Sequence, residues 1–302
     1  MNISGAIVSL YLKLYKFRPR DPSNVTQLRQ DVQRFAWLVN LLWSMPKEAV
    51  KEDITFKSIP GWHIQTQKPF KRTLLYLHGG AYIYGFEHVG NMYKAFLANL
   101  SLISDADIWA PDYRLAPEYP FPAALEDAQL AYLTLLEKGI APQNLFVMGD
   151  SAGGGLALAL LLKLRDQGLP LPCGGITLSA WTDLAITGDS VITRDEKDPL
   201  FNGDLLRGVV KHIVPEENTN NPYISPLYGD YKALPPLLMI VGGREVLFDD
   251  TLRVVEKAKR AGVNVTFDIY EDMFHVFPLF SNVFPEGNDA ISKIVQFMEN
   301  HS

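Results

Sequence analysis

Residues 149–153 read Gly-Asp-Ser-Ala-Gly. A serine hydroxyl is a weak nucleophile, so serine chemistry needs a corner that exposes it and a base that takes its proton. It also needs donors for the negative charge that develops on the substrate. The flanks of Ser151 supply the corner. Leu145, Phe146, Val147 and Met148 form a short continuous apolar run, the pattern of a parallel strand buried on both faces. Leu156, Leu158, Leu160, Leu161, Leu162 and Leu164 then give an apolar helix ending near Gly168. Ser151 is therefore expected on a sharp strand-to-helix turn of the G-x-S-x-G kind. Its strained backbone requires small residues two before and two after it, and the helix dipole there favours negative charge.

Other uses of the glycines fail on context. A dinucleotide fingerprint starting at Gly153 and Gly155 needs Gly or Ala where Leu158 stands. A P-loop needs Gly-Lys followed by Ser or Thr, and none is present. The Gly-Asp-Ser-Gly-Gly of chymotrypsin-like proteases is interrupted here by Ala152, and it belongs to β-rich domains with no helix after the serine.

The base must be a histidine, oriented in turn by an acid. In α/β-hydrolases, which carry the serine on such a corner, the chain order is serine, acid, histidine, each on a loop after a strand. His212, His275 and His301 follow Ser151. His301 lies in the terminal tail and His212 in an irregular stretch without a preceding strand. His275, five residues after the strand-like VTFDIY, is the one delivered to a sheet edge. For the acid, PLLMIVGGREVLFDD offers Glu245, Asp249 and Asp250. The two aspartates open a helix, where carboxylates serve as N-terminal caps, so Glu245 is the better-placed partner. Asp249, and Asp183 after GGITLSAWT, stay open as alternatives. The donors come from LHGGAYIYG, which follows the strand-like TLLYLH. There the N–H groups of Gly79 and Gly80, together with that of Ala152, form an expected oxyanion hole, each donor worth ~3 kcal/mol. Tyr82, Tyr84, Phe86, Trp181 and Phe201 are candidate walls of a substrate pocket and equally candidate core residues.

These residues need a sheet to hold them. From about residue 52 the chain alternates DITFKSI, WHIQT, TLLYLH, ADIWAP, NLFVM, GGITLSAW, PLLMIVGG and VTFDIY as strands. Helices are expected over 89–104, 122–138, after Ser151, over 249–262 and over 286–300. That alternation predicts an α/β fold, a mostly parallel sheet with helices on both faces. Residues 1–45 carry helical patterns and no strand. Residues 183–230 are irregular, with Pro199, Pro215, Pro222 and Pro226. Both are expected to form one cap over the C-terminal edge of the sheet, where ligands of such folds bind, leaving 46–302 as the catalytic domain.

Composition narrows the rest. With 302 residues the chain can bury one large core. A formal net charge of −6 without basic clusters argues against nucleic-acid binding. Cys173 is the single cysteine, so no intrachain disulfide forms, and a reducing, cytoplasmic location is expected. ISGAIVSLYLKLYKF is interrupted by Lys13 and Lys16 and too short to span a bilayer. It reads as an amphipathic helix packed on the protein, without stable membrane insertion.

Taken together, HGGAYIYG, PDYRLAPEYPFPAALED, GDSAGGG, LSAWTDL and DMFHVF, spread in this order over residues 75–280, resemble the hormone-sensitive-lipase-like family of α/β-hydrolases. The resemblance implies a carboxylester hydrolase with a helical N-terminal cap, acting on a small-molecule ester without metal or organic cofactor. It supports Ser151, His275, Gly79, Gly80 and Ala152 in the roles above. Much of the family has Asp-Pro-Leu where this chain has Glu245-Val246-Leu247. His78 precedes Ser151 and its backbone belongs to the oxyanion turn, so it reads as a structural hydrogen bonder and not a base. The family also implies pairing of subunits through the sheet's last strand, so a homodimer is one expected assembly. The same triad serves amidases and lipases. The related plant gibberellin receptors keep the fold as a binding module but lose the histidine that stands here as His275.

Overall fold

The computed structural model describes Val8, Leu12 and residues 20–40, 44–67, 69–215 and 218–302. The expected amphipathic helix over residues 3–17 falls outside the described residues apart from Val8 and Leu12, both buried. Helix α1 spans Val25–Asn40. Strands β1 (Ala49–Phe56), β2 (Ile59–Thr66) and β3 (Arg72–Leu77) follow, then α2 (Phe86–Ser104), β4 (Ala106–Pro111) and α3 (Ala123–Glu137). Next come β5 (Leu145–Asp150), α4 (Ala152–Asp166) and β6 (Gly174–Leu178). The short α5 (Ser190–Thr193) and α6 (Gly203–Ile213) precede β7 (Leu237–Gly242). The chain closes with α7 (Phe248–Arg260), β8 (Val265–Tyr270) and α8 (Pro285–Asn300).

The eight strands form one sheet in the order β1-β2-β4-β3-β5-β6-β7-β8. β1 and β2, and β2 and β4, pair antiparallel, and every other pairing is parallel. The apolar runs are continuous because both faces are covered. Leu74, Tyr76, Phe146 and Met148 face a core shared with α2 and α8. Their neighbours Leu75, Leu77, Leu145 and Val147 face the opposite core, shared with α3 and α4.

Two departures from the sequence pattern bear on function. GGITLSAW leaves the sheet at Leu178 because Ser179 turns into the left-handed region, φ 51°. The stretch 183–230 contains a true amphipathic helix, α6. Leu205, Leu206, Val209, Val210 and Ile213 are its buried stripe, and Asn202 Oδ1 caps it by accepting the Leu205 N–H at 2.8 Å. The prolines around it mark its ends rather than a loop throughout.

α6 packs with α1 and residues around it. Val25 and Leu28 share its apolar cluster, and His212 Nε2 donates to the Pro22 carbonyl at 3.0 Å. Arg29 ties α1 to the main body, donating to the carbonyls of Ile83 and Ala116 and forking onto Glu118. Among the described residues no helix is long and apolar enough to cross a membrane.

Candidate active site

The turn between β5 and α4 holds Ser151 at φ 52°, ψ −123°. A non-glycine residue pays a strain of order 1–3 kcal/mol there and persists only when its surroundings over-determine it. They do so here: Ser151 N–H donates to Leu178 O at 2.8 Å, and Ser151 O accepts from Trp181 N at 2.9 Å and Gly155 N at 3.1 Å. The turn also explains its glycines. A Cβ on Gly149 would run into the backbone of Gly153, and one on Gly153 into the carbonyls of Leu77 and His78.

His275, five residues past β8, brings Nε2 to 2.9 Å from Ser151 Oγ. Its Nδ1 lies 2.7 Å from Glu245 Oε2. An ionised carboxylate only accepts, so Nδ1–H donates to Glu245 and Nε2 faces the serine as acceptor. Burial alone pushes the His275 imidazole towards lower pKa. The charge and hydrogen bond of Glu245, then the charges of Asp198 and Asp150, outweigh it and set the pKa above the ordinary histidine value. Glu245 is fully buried, and its other oxygen accepts the Gly242 N–H and the Ser179 hydroxyl, both at 2.6 Å. Ser179 Oγ in turn accepts the Val276 N–H at 3.0 Å, so one hydroxyl fixes the acid loop and the histidine loop together.

The two alternative acids are engaged elsewhere. Asp249 accepts the Ser190 N–H at 2.8 Å. Asp183 accepts from Thr187 and Arg253. His212 bonds Pro22, and His301 Nδ1 sits 2.8 Å from Phe297 O, so neither meets the serine.

The loop after β3 requires one correction to the expected oxyanion donors. Gly79 N–H is already committed, to Asp150 Oδ1 and to the Tyr93 hydroxyl, each at 2.9 Å. It points into the core and not towards Ser151. Among the described residues the N–H groups of Gly80, Ala81 and Ala152 have no acceptor. Ala81 and Tyr82, at φ 52° and 59°, turn the loop to present them.

Asp150 is what the sequence reading missed. It is buried, and besides Gly79 it accepts from the hydroxyls of Tyr76 at 2.6 Å and Tyr93 at 2.9 Å. Burial raises its pKa, opposed by those hydrogen bonds. The only sequence signal was its place inside Gly-Asp-Ser, next to the nucleophile. The Tyr-Arg segment also gains a purpose. Tyr113 donates to His78 O at 2.6 Å and stacks on the His78 ring at 4.1 Å, while Arg114 forks onto Asp127. His78, fully buried with Nδ1 at 2.7 Å from Gly79 O, is a brace of this loop, as expected.

A cleft of about 110 Å³ opens over Ser151 and His275, lined among others by Tyr84, Val89, Met92, Leu200, Phe201 and Phe280. Of the five aromatic candidates, Tyr84 and Phe201 line it. Tyr82 faces a separate hollow beside Ala116, Leu125 and Leu156. Phe86 stacks on Trp62 at 3.7 Å, and Trp181 is buried with its indole N–H on Asp183 O. Phe86 and Trp181 are therefore core, because their rings fill the layers on which the loops rest.

A strand-turn-helix serine with histidine and acid in hydrogen-bonded line on this sheet defines an α/β-hydrolase. The family described as having the α/β hydrolase fold matches residues 74–279, about two thirds of the chain. The chain belongs to that family and to its bacterial hormone-sensitive-lipase branch. It is 42% identical over 227 residues to an acetyl-hydrolase of Streptomyces hygroscopicus, covering 75% of each chain. It is 35% identical to an esterase of Acinetobacter venetianus, over 81% of this chain and 80% of that one. A solved esterase of the bacterial hormone-sensitive lipase family superimposes with TM-score 0.92 at 33% identity, covering 100% of this chain and 99% of the other.

Proposed function

We propose that the protein is a serine carboxylesterase acting on short- to medium-chain esters, with Ser151, His275 and Glu245 as its triad. The observation that carries this is the line from Ser151 Oγ through His275 to Glu245, at 2.9 Å and 2.7 Å. It closes beside N–H groups without acceptors. His275 takes the Ser151 proton as Oγ attacks the ester carbonyl. The carbonyl oxygen, now negative, is held by the N–H groups of Gly80, Ala81 and Ala152. His275 then gives its proton to the departing alkoxide, leaving an acyl-serine. Water, deprotonated by His275, hydrolyses the acyl-serine by the same route and releases the acid.

The described residues before β1, together with α6 and its flanking loops, act as a cap that shields the cleft. Their mutual packing and the placement of Arg20, Leu200 and Phe201 on the cleft wall support this. Burial pushes the half-buried Cys173 thiol up to about 12, and its place as the single cysteine supports the reading of a reducing, cytoplasmic compartment. The test is nitrophenol release from acyl esters of two to twelve carbons, wild type against Ser151→Ala. Loss of activity on the order of 10⁶-fold is expected if the triad acts as a unit. A Ser151→Ala protein near wild-type activity refutes the assignment.

A further inference from the structure

One buried carboxylate near the triad has no part in the mechanism above. Asp198 lies in the loop between α5 and α6 and is fully buried. Its Oδ1 accepts the N–H groups of Leu200 at 2.8 Å and Phe201 at 3.1 Å. Its Oδ2 accepts the N–H of Val246, the residue after Glu245, at 2.9 Å. One side chain therefore joins the loop that supplies two cleft walls to the loop that supplies the acid. The phenyl ring of Phe201 meets the His275 imidazole edge to face, with centroids 5.0 Å apart. Leu200 O is held from the other side by Arg20 Nη2 at 2.8 Å.

An isolated buried carboxylate is costly unless it is hydrogen-bonded or paired. Three backbone N–H groups satisfy Asp198, and among the described residues no cationic side chain bonds it. Burial pushes its pKa up, opposed by the charge of His275 and then by those N–H groups, so its ionised form and protonated His275 favour each other. The charge nearest in consequence is that of His275, whose protonated form Asp198 favours. The groups facing His275 come from several elements: Glu245 after β7, Asp150 and Ser151 at the β5–α4 turn, and Asp198 from the loop before α6. Arg20, Tyr84 and Tyr93 line the same cleft. Glu271 and Asp272, on the histidine's own loop, are exposed.

We propose that Asp198 is a positioning residue for the esterase site, fixing the Leu200–Phe201 wall to the acid loop while holding a second negative charge beside His275. The proposal rests on the esterase reading, which Ser151→Ala tests by itself, so failure of one is distinguishable from failure of the other. The experiment is Asp198→Asn in the full chain, confirmed folded by circular dichroism. Rates on nitrophenyl acetate, butyrate and octanoate are followed from about pH 5 to pH 9. Removing a charge that favours protonated histidine lets the neutral base persist to lower pH, so the acid limb of kcat/KM moves down. Loosening Leu200 and Phe201 lowers kcat by about tenfold to a hundredfold, the scale of a catalytic geometry lost by up to an ångström, and weakens discrimination between acetate and octanoate. A folded Asp198→Asn with the wild-type acid limb overturns the proposal, because a purely structural anchor leaves that limb in place. Should Asp198→Asn not fold, Asp198→Glu carries the test, since it keeps the charge and displaces the hydrogen bonds. A wild-type acid limb with weakened chain-length discrimination supports the proposal, and any other pattern overturns it.

Discussion

Glu245→Gln is the substitution whose consequence follows most directly from the geometry. The glutamate has two oxygens with separate duties. Oε1 accepts the Gly242 N–H and the Ser179 hydroxyl, and Oε2 accepts the His275 Nδ1–H. Glutamine fits the same space but has one carbonyl oxygen and one NH2. The Gly242 N–H is fixed by the backbone, so the carbonyl oxygen stays with it and the NH2 is turned towards Nδ1. Two donors cannot face each other, so the imidazole moves its proton to Nε2. Nε2–H then points at Ser151 Oγ and cannot take the serine proton. A wrong tautomer of this kind costs about 10⁴ in kcat in a Ser-His-Asp enzyme, which converts to ~5 kcal/mol of transition-state stabilisation. The assay is kcat on nitrophenyl acetate for Glu245→Gln beside Asp249→Asn and Asp183→Asn, whose carboxylates bond Ser190 and the Thr187–Arg253 pair. The two aspartate variants should keep kcat within a few-fold of wild type. If Glu245→Gln does so as well, or if Asp249→Asn shows the 10⁴-fold loss instead, the reasoning from hydrogen-bond duties is refuted.

Two further outcomes follow from the surrounding network. His275 acts as base only when neutral, and its pKa is raised by Glu245 above the ordinary 6.5. Activity is therefore present above the raised value and lost as pH falls through it, and a kcat/KM profile with its acid midpoint at or below 6.5 contradicts this. Tyr93→Phe removes the hydroxyl shared by Gly79 and Asp150, leaving a buried carboxylate oxygen without a donor. Stability should fall by about 1–3 kcal/mol in urea denaturation, and kcat by about tenfold with KM little changed, because the displaced loop serves the transition state more than the bound ester.

What could be read from the sequence and what could not divide along a physical line. The Ser151 corner was legible because a strained turn between a buried strand and a helix leaves local marks, small residues at fixed offsets and a change of hydrophobic period. Glu245 and His275 were legible because each follows a strand that the apolar pattern announces, and the topology then carries both to one edge. Gly79 was read as an oxyanion donor, and its N–H is committed elsewhere. Adjacent glycines look alike in sequence, and only the distant Asp150 and Tyr93 decide that Gly79 turns inward while Gly80 and Ala81 remain available. Two of the aromatic candidates are core for the same reason: Phe86, at the start of α2, is claimed by Trp62 of β2, and no spacing rule near Phe86 reports that. α6 was hidden by the prolines around it, although its stripe of Leu205, Leu206, Val209, Val210 and Ile213 has helical spacing. Ser151, His275 and Glu245 are thus each specified by their own strand and loop. The groups that aim them, Asp150, Ser179 and Asp198, are single polar residues whose meaning exists only after the sheet has brought separate loops together. A substitution at one of these three should therefore disturb how the site is aimed while leaving Ser151, His275 and Glu245 themselves in place.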